Sequence, residues 1–247
     1  MSNAGIKYSI IIPVLNEEKY LLPLLKQAAE YKIKYGRACE LIISDGGSSD
    51  ATVETAKPYA DKIIVPTRNK PENIAIGRNR GALNADGDIL IFVNGDVVFD
   101  DINSFFAVLE RDFVNSEFVA FTCKVEVNPD ERKFIDFLFA SFYNRLFSLE
   151  NLIGLGMGRG ECQVIRREIF FEAGGYNPLL AAGEDFELFK RIRRKGKILF
   201  SRKTVVYESS RRYRAKGHLA VLFSWLLNSA AIMLTGRSVS KLWKPVR

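Results

Sequence analysis

The sequence predicts an α/β protein with a mainly parallel, doubly wound sheet flanked by helices and followed by a C-terminal amphipathic or membrane-associated helix. Three observations carry this prediction. Short apolar runs alternate with segments of helical spacing through the first hundred residues. Polar clusters rich in Asp, Asn and Gly follow three of those runs. A stretch without formal charge, residues 219–235, lies near the C-terminus between basic residues.

Taken in order, KYSIII (7–12) is a strand that ends at Pro13, and residues 17–34 show helical spacing through Tyr20, Leu21, Leu24, Leu25 and Ala28. CELIIS (39–44) leads through a Gly-Gly-Ser-Ser-Asp turn into a helix near 50–58. KIIVP (62–66) precedes a helix near 71–85, and DILIFV (88–93) is the fourth strand. Strand–helix alternation of this kind builds a parallel sheet covered on both faces, which binds ligands beyond the carboxyl ends of its strands. The residues expected there are Asn16, Glu17 and Glu18, then Asp45, Gly46 and Gly47, then Asn94, Gly95 and Asp96. Beyond residue 100 the alternation loosens into a helix near 102–113, a strand near 117–126 and an aromatic-rich helix near 132–150. Gly154, Gly156, Gly158 and Gly160 lack the spacing and context of a dinucleotide fingerprint. They read as a mobile loop over the site or as a plain surface loop.

At 247 residues and 47% apolar content, the chain can bury one sizeable core, so one main domain with a C-terminal appendage is expected. Cys39, Cys123 and Cys162 have no CxxC spacing and suggest neither a disulfide framework nor a zinc site, which fits a reducing, cytoplasmic setting. No basic-then-apolar signal opens the sequence, and Met1–Ala4 reads as an unstructured start. Charge is uneven: residues 190–247 hold 16 Lys and Arg against the single acid Glu208, so the net +7 is a +15 tail behind a −8 body. Such a tail suits a nucleotide diphosphate, a lipid phosphate or the cytoplasmic membrane face. Within 219–235, Ser224, Asn228, Ala231 and Thr235 form one face and Leu222, Phe223, Leu226, Ala230 and Met233 another. That pattern favours a helix lying on a membrane or a partner over one crossing a bilayer, with a helix docked on the core as the third option.

Four segments, SIIIPVLNEE (9–18), ISDGGSSDAT (43–52), ADGDILIFVNGDV (85–97) and GEDFELFKRIRRKG (183–196), together resemble glycosyltransferase family 2 in residues, order and spacing. The resemblance covers about residues 6–212. It implies the type A glycosyltransferase fold and transfer of a sugar from a nucleoside-diphosphate donor, UDP or GDP, with inversion at the anomeric carbon. A catalytic domain of residues 5–212 follows, its nucleotide half about 5–100 and its acceptor half about 101–212, with 213–247 as a basic, apolar helical appendage.

The resemblance also assigns residues. Pro13, Asn16, Glu17 and Asp45 match the segments that hold the base and ribose; Arg78, Asn94 and Gly95 match donor-facing positions. Asp96 is the expected ligand of a divalent cation, Mn2+ or Mg2+, with Asn94 standing where the family has a first aspartate. Asp185 matches the general base that takes the proton of the acceptor hydroxyl, and Glu184 an orienting neighbour. Gly160, Arg211 and Arg212 are candidates for phosphate or acceptor contact. The histidine that many members carry after the next strand is missing; Tyr207, Glu208, Ser209 and Ser210 occupy that stretch, with Glu208 a candidate substitute. His218, beside a helix start, reads as structural or solvent-facing.

The expected partners are a nucleotide-sugar donor, a sugar or lipid-linked acceptor and the cytoplasmic face of the membrane. Nucleic acid is not among them, because the basic segment lacks an aromatic platform. A sugar-nucleotide pyrophosphorylase is disfavoured, since Val14-Leu15-Asn16-Glu17-Glu18 offers no glycine loop for a triphosphate. The alternative from another class is a catalytically degenerate nucleotide-sugar-binding subunit, motivated by Asn94 and the missing histidine.

Overall fold

The computed structural model describes residues 7–35, 39–67 and 72–240. Met1–Ala4, Lys241, Lys244 and Pro71, the first residue of the third predicted helix, lie outside them. The first half contains β1 (Tyr8–Val14), α1 (Leu21–Tyr35), β2 (Cys39–Asp45), α2 (Thr52–Ala56), β3 (Lys62–Ile64), α3 (Ile74–Leu83) and β4 (Ile89–Val93). These strands are parallel in the order β3-β2-β1-β4. Every residue of β1, β2 and β4 is buried, as strands covered on both faces require.

Alternation along β1 divides the core in two. Ile10 and Ile12 pack with Leu24 and Leu25 of α1, whereas Ile11 packs with Ala75 and Ala82 of α3. The α3 contact is unusually close: a Cβ on Gly81 would lie 2.3 Å from Cγ2 of Ile11. Small residues at this helix face therefore set how near α3, and Arg78 on it, can approach the sheet.

The second half adds β5 (Val97–Phe99), α4 (Ile102–Val108), a π-helical turn (Leu109–Val114), β6 (Ala120–Val127), α5 (Phe134–Leu152) and β7 (Cys162–Arg166). It ends with α6 (Arg167–Glu172), α7 (Glu184–Arg193), β8 (Ile198–Glu208), α8 (Arg211–Lys216) and α9 (His218–Thr235). The whole sheet runs β3-β2-β1-β4-β7-β6-β8-β5. β7 is antiparallel to β4 and β6, β5 is antiparallel to β8, and β6 and β8 are parallel.

Strand direction decides which residues meet. Val93, the last residue of β4, pairs with Cys162, the first of β7, and Val97, the first of β5, pairs with Glu208, the last of β8. Residues preceding β7 and β5 therefore arrive at the same sheet edge as those following β1, β2, β4 and β8. That edge gathers Asn16, Glu17, Asp45, Asn94–Asp96, Gly160, Glu161 and Arg211.

The sequence boundary at 212/213 falls inside α8. α9 lies against the body with an inverted polarity: Val221, Asn228 and Ile232 are buried, while Leu219, Phe223, Leu226, Leu227, Met233 and Leu234 are exposed. Asn228 bonds inward, donating to the Ser224 carbonyl at 2.8 Å and accepting from the Ser240 N–H at 3.1 Å. α9 is long and apolar enough to cross a membrane, yet it is only 17% buried in the protein. Its apolar face continues onto α5, where Phe134, Phe137, Leu138 and Phe142 are exposed. The aromatic helix is thus core only along one side, where Phe139 and Tyr143 meet Trp225.

Candidate active site

At the exits of β1 and β2 two loops are tied together. Asn16 adopts φ 53°, a left-handed conformation that asparagine tolerates better than most residues. Its N–H donates to Ser48 Oγ at 2.8 Å and its Oδ1 accepts from the Ser49 N–H at 2.7 Å. The Asp45 carboxylate accepts from the Gly47 and Ser48 N–H groups at 2.9 and 3.0 Å. Asp45 thus closes its own turn, with lone pairs remaining for a further donor. Arg80 braces this loop from α3, donating to the Asp45 carbonyl and the Glu72 carboxylate. Pro13 is buried in β1 behind the loop, and Gly95 is buried beside Val14 and Glu17.

The Arg78 guanidinium is 1% exposed and fully surrounded by protein. It donates to Glu184 Oε1 at 2.8 Å, Asn94 Oδ1 at 2.9 Å and the Gly160 carbonyl at 2.7 Å, and sits 5.0 Å from the Tyr176 ring. Asn94 is thus a structural acceptor for this hub. Gly160 is held on both sides: its carbonyl accepts from Arg78 and its N–H donates to Asp185 Oδ2 at 2.9 Å. The glycine-rich loop packs on α7 through Gly156 and Gly158, while Leu155 is exposed. A Cβ on Gly158 would lie 2.3 Å from the Phe189 ring, and Arg159 is buried.

α7 begins beyond Gly183, whose φ of 77° suits glycine. Its first two residues are the acidic pair. Glu184 is 7% exposed; burial and the Asp185 charge push it up to about 7, with Arg78 pulling the other way. Burial also raises Asp185, against the pull of Arg78 and of the Phe186 and Gly160 N–H groups. Of the two carboxyls, Glu184 is tied to the buried guanidinium and Asp185 is the more open one. A carboxylate raised in this way is a better proton acceptor near neutral pH.

The opposite side of the site joins Glu208, the candidate named from the sequence, to two charges that sequence reasoning missed, Arg159 and Glu161. Arg159 donates to Glu208 Oε1 at 2.7 Å and to Glu161 Oε2 at 3.2 Å, all three buried. Glu208 also accepts from the Tyr213 hydroxyl at 2.8 Å. Burial pushes Glu208 up to about 7 despite Arg159, whereas Arg159 and Arg212 together hold Glu161 down to about 2 against its own burial. Arg159 and Glu161 flank Gly160 in the chain; only the antiparallel direction of β7, invisible in the sequence, brings them to this edge. His218 is structural, 2.7 Å from Asp136 and stacked on Tyr213.

Among the described residues no three His, Cys, Asp or Glu side chains gather as a metal centre. Two carboxylates do converge: Arg211 Nη2 lies 2.8 Å from Glu17 Oε1 and 3.0 Å from Asp96 Oδ2. Hard oxygen donors meeting at one point suit Mg2+ or Mn2+, which take one or two carboxylates and complete their shell with substrate phosphates and water. Glu17 and Asp96 therefore fit such a cation, with the guanidinium standing in at that point; Glu208 is engaged by Arg159 and Tyr213.

Residues 9–173 match the family model described as Glycosyl transferase family 2, and the chain belongs to that family. Dodecaprenyl-phosphate galacturonate synthase of Rhizobium johnstonii is 32% identical over 115 residues, 43% of this chain and 33% of that protein. Undecaprenyl-phosphate 4-deoxy-4-formamido-L-arabinose transferase of Salmonella paratyphi B is 32% identical over 97 residues, 37% of this chain and 29% of that protein. The chain thus matches about a third of the length of these relatives. Among solved structures, a mannosyltransferase of Pyrobaculum calidifontis in complex with GDP-Man and Mn2+ superposes with a TM-score of 0.65 at 19% identity, covering 89% of this chain and 63% of that one. Glucosyl-3-phosphoglycerate synthase of Mycobacterium tuberculosis gives 0.63 at 16% identity, covering 96% and 82%. The fold is the type A glycosyltransferase fold.

Proposed function

We propose that this chain transfers a sugar, with inversion at the anomeric carbon, from a UDP- or GDP-linked donor to an acceptor hydroxyl on a lipid-linked or membrane-proximal molecule at the cytoplasmic face of the membrane. One observation carries this reading. The Asp185 carboxyl, raised by burial, stands at the same strand edge as the Glu17–Asp96 pair, and that edge adjoins α9, whose Ile232 packs on Gly183 at the start of α7. The lipid phosphates in the names of both sequence relatives support the choice of acceptor.

In this reading the acceptor O–H gives its proton to Asp185 as its oxygen attacks the anomeric carbon. The new C–O bond forms as the bond from that carbon to the diphosphate oxygen breaks, and the nucleoside diphosphate leaves with the electron pair. A single displacement inverts the centre. Asp45, Asn16 and Glu17 line the nucleoside side, while Arg211 and Arg212 face the departing charge with forked donors suited to phosphate oxygens. A divalent cation held by Asp96 and Glu17 would neutralise that same charge.

Calorimetric titration of the purified chain with UDP and GDP, each with and without Mn2+, tests the donor. Binding of one nucleotide, tighter with the metal, is expected; absence of binding by both would remove the reading. Asp185→Asn should lower transfer by about 10²–10⁴-fold while leaving nucleotide affinity unchanged. Near-normal turnover in that variant would show that another group is the base.

A further inference from the structure

Arg211 occupies an unusual position for a phosphate-binding residue. Its Nη1 and Nη2 donate to both oxygens of Glu17 at 2.8 Å, its Nη2 also reaches Asp96 Oδ2 at 3.0 Å, and its guanidinium lies 4.7 Å from the Tyr20 ring. The fork is therefore fully committed to the two carboxylates identified above as the cation pair. A guanidinium and a divalent cation cannot share those oxygens, because they need the same space and repel each other. With one guanidinium between them the two carboxylates keep a single net negative charge, half of what the pair alone would present, so a second cation is drawn in less strongly. A diphosphate changes the balance, since it offers the same fork a second set of paired oxygens.

We propose that Arg211 is a resident counter-ion that keeps a divalent cation off the Glu17–Asp96 pair until a nucleoside diphosphate is present. On arrival, the diphosphate takes over the guanidinium, and the carboxylates are released to bind the cation together with phosphate oxygens. The inference rests on the nucleotide-donor reading above. Its consequence is ordered assembly: the enzyme alone binds metal poorly, the enzyme with nucleotide binds it well, and by linkage the metal strengthens nucleotide binding by the same factor. The arrangement also keeps Glu17 in a fixed pose at 5% exposure while the site waits for donor.

The test is loss of the free Mn2+ electron paramagnetic resonance signal on adding the full chain, with and without UDP or GDP. Without nucleotide, Arg211→Ala should bind Mn2+ about tenfold or more tighter than wild type, a coupling of ordinary allosteric size. Adding the nucleotide should raise wild-type Mn2+ affinity by a similar factor and that of Arg211→Ala far less. An additional Asp96→Asn in the Arg211→Ala background should abolish the gain, which places the new binding at this pair. Arg211→Lys keeps the charge without the fork and should fall between wild type and Arg211→Ala; it also carries the test if the alanine variant fails to fold. Equal Mn2+ affinity of wild type and both Arg211 variants without nucleotide would overturn the proposal. If the variants gain Mn2+ but no protein binds either nucleotide, the exclusion of metal by Arg211 stands and the donor reading falls.

Discussion

At the scale of single residues, the site is a set of buried charges whose neighbours decide their roles. Glu184 and Asp185 are adjacent, yet one is locked onto Arg78 and the other is left more open. Both carboxyls are raised, Glu184 to about 7, so the pair titrates together. A base acts when ionised; kcat/KM should therefore climb with pH along an acid limb displaced above the ordinary aspartate range. Glu184→Gln leaves the charge of Arg78 uncompensated beside Asp185 and should move that limb to lower pH, as read from kcat/KM between pH 5 and 9. An unmoved limb would mean that a different group sets it. Arg78 gives a sharper contrast. As a phosphate ligand its loss would weaken only donor binding, but as the hub seen here Arg78→Leu strips a buried carboxyl of its partner. Urea unfolding should show a loss near the low end of about 3–5 kcal/mol, because Glu184 can take up a proton in response. The residue types at the strand ends were legible in the sequence, since Asp, Asn and Glu after apolar runs are ligand-facing chemistry. Which of them are spent on holding the site together was not, because Asn94, Gly160 and Glu184 meet on Arg78 from segments up to 106 residues apart.

At the scale of elements, the parallel half was readable because its strands are continuous apolar runs and its helices follow in order. β2 and β4 lie within or one residue from the predicted spans, and β1 runs two residues past its own. β7 was not read: CQVIR is a short run after a glycine loop, and nothing local states that it inserts antiparallel between β4 and β6. That single insertion is why Glu161 and Arg159 went unnoticed. α8 was likewise read only as a dense basic segment, though Tyr213 within it is buried on Glu208 and His218. The strongest element-level constraint is the α3–β1 approach. Gly81→Ala places a methyl 2.3 Å from Ile11 Cγ2, so helix or strand must shift. A destabilisation of about 1–3 kcal/mol is expected in urea unfolding. Nucleotide affinity should fall alongside it, since α3 carries both Arg78 and Arg80. A variant as stable as wild type would show that the helix relaxes freely, contrary to a spacing set by glycine.

At the scale of the whole molecule, basic charge and exposed apolar side chains are both concentrated in the C-terminal part of the chain. The basic residues 190–247 follow an acidic body, and Arg214, Lys216 and Arg237 flank α9, whose outward face is Leu219, Phe223, Leu226, Leu227, Met233 and Leu234. An 18-residue helix is about 27 Å long at 1.5 Å per residue, close to a hydrocarbon core of about 30 Å, so length alone does not decide between crossing and lying on a bilayer. Its buried stripe of Val221, Asn228 and Ile232 stays on the protein, so a helix lying on the surface of a bilayer fits better than one passing through it. Vesicles containing about one-third anionic lipid should therefore co-sediment with the chain, and neutral vesicles should do so less, because each nearby Lys or Arg adds about 1 kcal/mol at an anionic surface. Raising salt should weaken the anionic component and leave an apolar remainder. Leu226→Ser removes side-chain burial worth roughly 1.5–3 kcal/mol in the bilayer, a loss of about tenfold or more in vesicle affinity. Leu226 is 59% exposed in the protein, so the thermal midpoint of the free chain should barely move. That separation matters: a helix that belongs to the core would lose stability with the same substitution and show no change in vesicle binding, and this pattern would move the acceptor away from the membrane.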